Sequence, residues 1–399
     1  MSAKNDAMLT RALRSIPWGT QTNAKRVDRD HIPSRPPFIE RARGCRMWDL
    51  DGREYIDYRA ALGPIVLGYC HEEVDTAVRR QMERGTLFSM ASPLEVEAAE
   101  AILNTLGWAD QIRFMKTGAD VCACCLRIAR SHTQRDHVLV SGYHGYHDWF
   151  ALGWPNHGVP HLLEQLVHEI AYDDIPAMER VFAEYGPELA AAVVVPLEWH
   201  LEPSPAYLQR LRELCNHYGV ALVFDEILTG FRLGTTGAAG YFGVTPDLAA
   251  FAKGMANGYP LSAYAGKRAW METLNQMILT TTYAGETLSL AASLKVMEIF
   301  RREPVHAHLF QLGAELRSGF EAIFLEHGFP ATTIGVDPGA VIDFAPAGDA
   351  AEKLHRQLFT RLYERGIFAN EQWFITYAHT RADIEQTLEA MAICVRDLV

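Results

Sequence analysis

The sequence predicts an α/β fold, with one large domain built on a mostly parallel sheet and a smaller α/β domain assembled from both chain ends. Three observations lead there. Short, continuous apolar runs alternate with helical stretches from about residue 70, as expected of strands covered on both faces by crossover helices. The 399 residues, 49% hydrophobic and 22% charged, suit two or three domains with a sizeable core. A second α/β pattern follows about residue 285 and ends in a helical stretch at the C-terminus. The expected divisions are residues 1–60 as an N-terminal segment joining the small domain, 61–300 as the large domain and 301–399 as the C-terminal part of the small domain.

Taken in order, residues 5–15 suit a short helix ended by Pro17 and Gly19. HIPSRPPFIERARG reads as a proline-rich extended lead-in. RMWDLDGREYIDY reads as a β-hairpin, with apolar alternation on both sides of the Asp51-Gly52 turn. HEEVDTAVRRQMERG is helical, and so is PLEVEAAEAILNTLG, with proline near its start and glycine at its end. QIRFMKTG is a strand entering a turn, ADVCACCLRIARSH a helix, and HVLVSGYHG and AAAVVVPLE strands. PAYLQRLRELCNHYG is a helix, and VALVFDE and DLAAFA are strands. ETLSLAASLKVMEIF is a long helix, and TRADIEQTLEAMAICVRDL closes the chain as another.

Composition excludes several function classes. A formal net charge of −12 without a basic block argues against nucleic acid or an anionic membrane as partner. No run approaches the ~20 apolar residues of a membrane span, and the N-terminus lacks a signal-peptide core. Seven cysteines, with Cys122, Cys124 and Cys125 crowded together, do not read as a disulfide framework. The expectation is a soluble, cytoplasmic protein.

Lys253 follows the apolar run DLAAFA and precedes the turn GMANGYP. A lysine there is either a solvated charge or an amine held in a site. Asp225 ends the buried strand VALVFD, 28 residues earlier, at the strand edge where open α/β sheets bind ligands. Alone it would read as a helix cap. Two consecutive parallel strands, however, would bring Asp225 and Lys253 to one edge. A pyridoxal-type cofactor needs an amine, an acid for its ring nitrogen, a flat aromatic against the ring, and backbone N–H groups at a helix start for its phosphate. Lys253 and Asp225 offer the first two, Tyr143 the third, and Thr117-Gly118-Ala119 the fourth.

With those positions in view, the chain resembles the class III (subgroup II) pyridoxal-phosphate aminotransferases of fold type I, in particular the glutamate-1-semialdehyde 2,1-aminomutase-like members. The resemblance is carried by DLDGREYIDYRAALGPIVLGY, RFMKTGAD, SGYHG, FDEILTGFR, GYFGVTPDLAAFAKGMANGYPLSAYAG, TYAGETLSLAA and FITYAHTRADIEQTLEA. It implies pyridoxal 5′-phosphate as cofactor, Lys253 as the Schiff-base lysine and proton shuttle, and Asp225 as the acid under the pyridine nitrogen. It further implies Ile227 on one ring face, Tyr143 on the other, His144 orienting the site, and Thr117, Gly118 and Ala119 at the phosphate. Thr282 would reach the phosphate of a neighbouring subunit, so the resemblance implies a homodimer with shared active sites.

There are departures. Lys116 to Val121 read KTGADV where the family usually has Asn-Ser-Gly-Thr-Glu-Ala, so a hydroxyl is lost at Ala119 and Asp120 is shorter than Glu. The stretch ANEQWFITYAH lacks the carboxylate-reading arginine of many members and carries Glu371, where the aminomutase has a glutamate. Lys25 or Arg26 could take the part of an N-terminal carboxylate-reading arginine. Lys25, Trp199 and Glu371 are the candidate substrate residues. The resulting expectation is an aminotransferase acting on an amino donor and a ketone or aldehyde acceptor. The alternatives are a 1,2-aminomutase and, in another class, a non-catalytic scaffold motivated by the drift at Ala119 and Asp120. No metal is expected. The cysteine cluster reads as helix packing, and His144, His147, His157 and His161 lack a zinc-type spacing. GTTGAAGYFG does not join a strand directly to a helix, so it reads as a loop rather than a nucleotide site. Trp18, Trp48, Tyr69, Trp199 and Trp373 divide between core and pocket lining.

Overall fold

The computed structural model describes residues 3–27, 32–153, 158–202 and 204–399. It separates into two compact units: one holds the chain up to His71, Trp199–Glu202 and Ala307–Val399, the other Glu72–Glu198 and Pro203–His306.

The first unit begins with α1 (Ala3–Ser15), β1 (Ile39–Arg43), β2 (Arg46–Asp49) and β3 (Glu54–Asp57). β2 and β3 form the expected antiparallel hairpin. Asp49 closes its turn, accepting from the N–H groups of Asp51 and Arg53 at 2.9 Å each, and Gly52 supplies the left-handed backbone (φ +81°) the turn requires. β1 pairs antiparallel with β2, inside the stretch read as an extended lead-in. It is exposed along almost its whole length, so it shows no apolar alternation to read.

The second unit contains α2 (Glu72–Met82), α3 (Pro93–Leu106), β4 (Gln111–Met115), α4 (Gly118–Thr133), β5 (His137–Ser141) and β6 (Val167–Glu169). It continues through α5 (Ile175–Tyr185), β7 (Leu189–Val194), α6 (Pro205–Tyr218), β8 (Ala221–Asp225), α7 (Gly237–Phe242) and β9 (Leu248–Phe251). β10 (Ser262–Gly266), α8 (Arg268–Met271) and α9 (Thr287–Arg302) complete it. Ser92 and Glu95 make a reciprocal capping box at the start of α3, and Gly107 ends the helix in the left-handed region. The seven strands order as β4-β10-β9-β8-β7-β5-β6. β6, β5, β7, β8 and β9 run parallel, and only β10 opposes its neighbours. The sheet centre is fully buried: every residue of β7, β8 and β9 is shielded from solvent, and α4 covers it with Val121, Cys125 and Ile128.

The C-terminal part of the first unit has α10 (Val305–His327), which starts two residues before the boundary, then β11 (Thr332–Ile334), β12 (Val341–Asp343), α11 (Ala351–Glu364), β13 (Ile367–Phe368) and α12 (Arg381–Arg396). β13 pairs parallel with β3, so the two chain ends share one four-stranded sheet ordered β1-β2-β3-β13. Asp383, in the first turn of α12, closes a capping box with Thr380 and takes an ion pair from Arg46 on β2 at 2.5 Å. No helix among the described residues is long and apolar enough to cross a membrane.

Candidate active site

In the second unit β8 turns polar at its carboxyl end, where Asp225 and Glu226 emerge on opposite sides of the strand. Glu226 is fully buried and ties down α7: it accepts from Thr229 Oγ1 at 2.5 Å and from the N–H groups of Ala238 and Ala239 at 2.9 and 3.0 Å. Burial raises its carboxyl to about 7.

Asp225 is 5% exposed and held from three directions. Its Oδ1 accepts from the Ile227 N–H at 3.0 Å. Its Oδ2 meets His144 Nδ1 at 2.8 Å and takes the Cys122 thiol at 3.4 Å. His144 Nε2 lies 3.1 Å from the Ser141 carbonyl oxygen. A carbonyl and an ionised carboxylate only accept, whereas a neutral imidazole donates once. Both His144 bonds therefore form only when the pair holds one proton more than the neutral ring and ionised carboxylate together. The cysteines of α4 were read as helix packing. That holds for Cys124 and Cys125, but Cys122 also donates to Asp225, which no spacing rule reveals.

Asp225 pairs with Ala250 across the parallel β8–β9 register, and the chain reaches Lys253 three residues later, at the same carboxyl edge. Lys253 has φ +46°, the left-handed region that side-chain-bearing residues rarely occupy. Such strain costs roughly 1–3 kcal/mol and collects at functional positions. Desolvation lowers the Lys253 amine to about 8; the Arg232 charge adds to the drop and Asp225 opposes it.

Beside this pair, Thr117 caps α4: its Oγ1 accepts from the Asp120 N–H at 3.3 Å and donates to Asp120 Oδ2 at 2.6 Å. The shortened Asp120 thus serves the cap, and its other oxygen meets His147 at 3.3 Å. The N–H groups of Gly118 and Ala119, in the first turn, take no part in that cap. A Cβ at Gly118 would stand 2.6 Å from Ile227 Cδ1, so Ile227 lies directly over the helix start. Tyr143 is 60% exposed after β5, and Thr282 lies exposed in the turn before α9. Among the described residues, Cys122, His144 and Asp225 alone offer metal-ligand atoms in a group of three, within 4.8 Å of one another, and hydrogen bonds already join them. Of the other histidines considered for zinc, His147 faces Asp120, His161 faces Glu164 on the surface, and His157 lies outside the described residues.

These features fit pyridoxal phosphate: a desolvated amine, a fixed buried carboxylate, a branched aliphatic and an uncovered tyrosine, and a helix start with N–H groups available to an anion. A Cβ in place of Gly118 would crowd the Ile227 side chain at that helix start.

The candidate substrate residues all belong to the first unit. Lys25 is exposed and lines a cavity with Arg35 and Arg59. Trp199 is 4% exposed and packs edge-on to Phe374 at 5.7 Å. Glu371 contacts His355 at 3.4 Å. Burial pushes its carboxyl up, but the His355 hydrogen bond and the Arg59 charge outweigh it and hold it down to about 2. Tyr69 lines the same cavity as Lys25, Trp373 is core, and Trp18 is 53% exposed.

Comparison with known proteins adds independent findings. The family model described as Aminotransferase class-III matches residues 28–392. A glutamate-1-semialdehyde 2,1-aminomutase of Sulfurihydrogenibium sp. (strain YO3AOP1) is 32% identical, over 92% of this chain and 93% of its own length. The FumI protein of Sphingopyxis sp. MTA144, solved in its PLP internal aldimine form, superposes with a TM-score of 0.93 at 27% identity, covering 100% of this chain and 97% of its own. An omega-transaminase from Sphaerobacter thermophilus gives 0.91 at 26% identity, covering 99% and 98%.

Proposed function

The chain belongs to the class III aminotransferases, and we propose that within this family it is a pyridoxal 5′-phosphate-dependent transaminase, moving an amino group between an amine donor and a ketone or aldehyde. One observation carries the reading: a desolvated lysine amine, on a strained residue just past β9, lies at the strand edge where β8 ends in a carboxylate locked by three donors.

When bound, pyridoxal phosphate supplies an aldehyde for amine exchange and a ring that spreads the charge left when a proton leaves the substrate carbon. The protein does the rest. Lys253 Nζ, eased toward neutrality by desolvation, would hold the cofactor and carry the proton to and from the substrate carbon. Asp225 would serve the ring nitrogen, with His144 and Cys122 keeping its carboxylate from turning. The Gly118 and Ala119 N–H groups, with Thr117 fixing the start of α4, would receive the phosphate. Ile227 and Tyr143 would hold the two faces of the ring.

The functional unit we propose is a homodimer in which Thr282 completes the partner's phosphate site. Its support is a set of exposed apolar side chains on the second unit, with Met90 82%, Ile278 79%, Tyr283 60% and Phe88 46% exposed. Seven unbridged cysteines support a cytoplasmic setting.

A 2,1-aminomutase is the second reading, favoured by the name of the Sulfurihydrogenibium relative and by Glu371. One experiment separates the readings. The protein is loaded with pyridoxamine phosphate, offered carbonyl compounds singly, and followed by visible absorbance. A transaminase passes its amino group to the acceptor once and then stalls until an amine donor is supplied. A mutase turns over a single amino-aldehyde with no second substrate. No response to any amine or carbonyl would overturn both readings.

A further inference from the structure

The start of α4 is reached from β4, the edge strand of the seven-stranded sheet, which among the described residues pairs with β10 alone. An edge strand is held by a ladder on one side only. Lys116 is the single residue between the end of β4 at Met115 and Thr117, the N-cap of α4. Whatever fixes Lys116 therefore also fixes the turn that presents the Gly118 and Ala119 N–H groups.

Lys116 is fixed from α9. Its Nζ donates to Glu286 Oε2 at 2.9 Å, and the two side chains are only 17% and 18% exposed. Glu286 is in turn the N-cap of α9. Its Oε1 accepts from the Leu288 N–H at 2.6 Å, and its Oε2 accepts from the Ser289 N–H at 3.2 Å and from Ser289 Oγ at 2.7 Å. Thr287 ties the same helix start to the loop after α2, its N–H donating to the Thr86 carbonyl and its Oγ1 to that of Gly85, both at 2.9 Å. Burial pushes the Glu286 carboxyl up, but the hydrogen bonds from Lys116 and Ser289 outweigh it and hold it below its ordinary range. The acid is thus ionised at neutral pH, and the pair is screened less than one in open solvent.

The turn itself has little else to offer an anion. Ala119 brings no hydroxyl, and Thr117 Oγ1 is engaged with Asp120 in the cap. Holding a phosphate there falls to backbone N–H groups, whose hydrogen bonds weaken steeply when they are misdirected.

We propose that Lys116 and Glu286 are positioning residues for the cofactor's phosphate: their ion pair braces the β4–α4 turn against the start of α9 and so aims the Gly118 and Ala119 N–H groups. The inference rests on the transaminase reading, which makes that turn the phosphate cradle.

The test follows uptake of pyridoxal phosphate by the apoprotein through visible absorbance. Pyridoxal, with the same ring and aldehyde but no phosphate, is the control. Lys116→Met and Glu286→Gln should each weaken pyridoxal phosphate binding about tenfold, and the double variant by little more than either, because both remove one interaction. Lys116→Arg keeps the cation and should restore most of the affinity. Pyridoxal uptake should be nearly unchanged throughout. Glu286→Gln keeps an oxygen for the α9 cap, so it carries the comparison if the melting temperature shows that Lys116→Met has not folded. Unchanged pyridoxal phosphate binding in the folded variants overturns the inference. Equal weakening of pyridoxal also overturns it, since the pair would then support the fold alone. Tighter pyridoxal phosphate binding by Glu286→Gln would mean that a freed Lys116 touches the phosphate directly, which contradicts the bracing role. Wild-type protein that takes up neither compound on Lys253 sinks the transaminase reading and this inference together, whereas wild-type uptake with indifferent variants sinks the positioning alone.

Discussion

Lys253 has to be charged enough to sit near Asp225 and neutral enough to attack an aldehyde, and its surroundings serve both needs. With the amine lowered to about 8, its neutral fraction falls tenfold for each pH unit below that value and levels off above it. The rate of covalent cofactor attachment to the apoprotein, followed by stopped-flow absorbance, should therefore rise between pH 6 and about 8 and flatten beyond. Lys253→Ala should abolish the attachment and lower amine exchange by about a thousandfold or more, since both nucleophile and proton carrier go. At this scale the sequence was most informative where chemistry demands rare placements, as at Asp225 and Lys253. It was silent on Cys122, because a thiol on a buried helix face looks the same whether it fills space or donates to a carboxylate.

The elements aim these residues, and two predictions belong to them. Gly118→Val should push Ile227 off the start of α4, because the first added carbon already falls 2.6 Å from Cδ1. Overpacking of this kind costs about 1–3 kcal/mol, and equilibrium dialysis should show weaker cofactor binding with the far-ultraviolet spectrum retained. Glu226→Gln replaces an acceptor of two α7 N–H groups with an amide able to accept through only one of its atoms. The lost bond should destabilise the fold by about 1–3 kcal/mol in chemical denaturation. Helices and strands with strong local signals were legible: α3 carries its proline, capping box and terminal glycine, and β8 its unbroken apolar run. β1, β6 and β10 were not, for physical reasons. β1 is exposed, β6 is three residues long, and β10 has small residues on both sides of Tyr264, its strand state coming from being sandwiched between β9 and β4. The parallel pairing of β8 and β9 followed from the alternation of strand and helix; the antiparallel insertion of β10 had no local cue.

For the whole molecule, the sharing of one sheet by the two chain ends, through β3 and β13, matches the small domain expected from both termini. That expectation came from the order of the patterns, and the pairing itself is a contact no periodicity encodes. The proposed dimer makes its own prediction. Sedimentation should give twice the chain mass, and Lys253→Ala protomers refolded with Thr282→Asp protomers should recover about a quarter of wild-type activity or somewhat less. Each mixed dimer then holds one intact site, because closed two-fold interfaces are isologous. No recovery would leave Thr282 outside the partner's site. The most direct measurement of the central claim is chemical. The protein is incubated with pyridoxal phosphate, reduced with borohydride, digested and mapped by mass spectrometry. The account predicts one stoichiometric cofactor adduct per chain, on Lys253, that vanishes in Lys253→Ala. An adduct on another lysine, or none on Lys253, would contradict it.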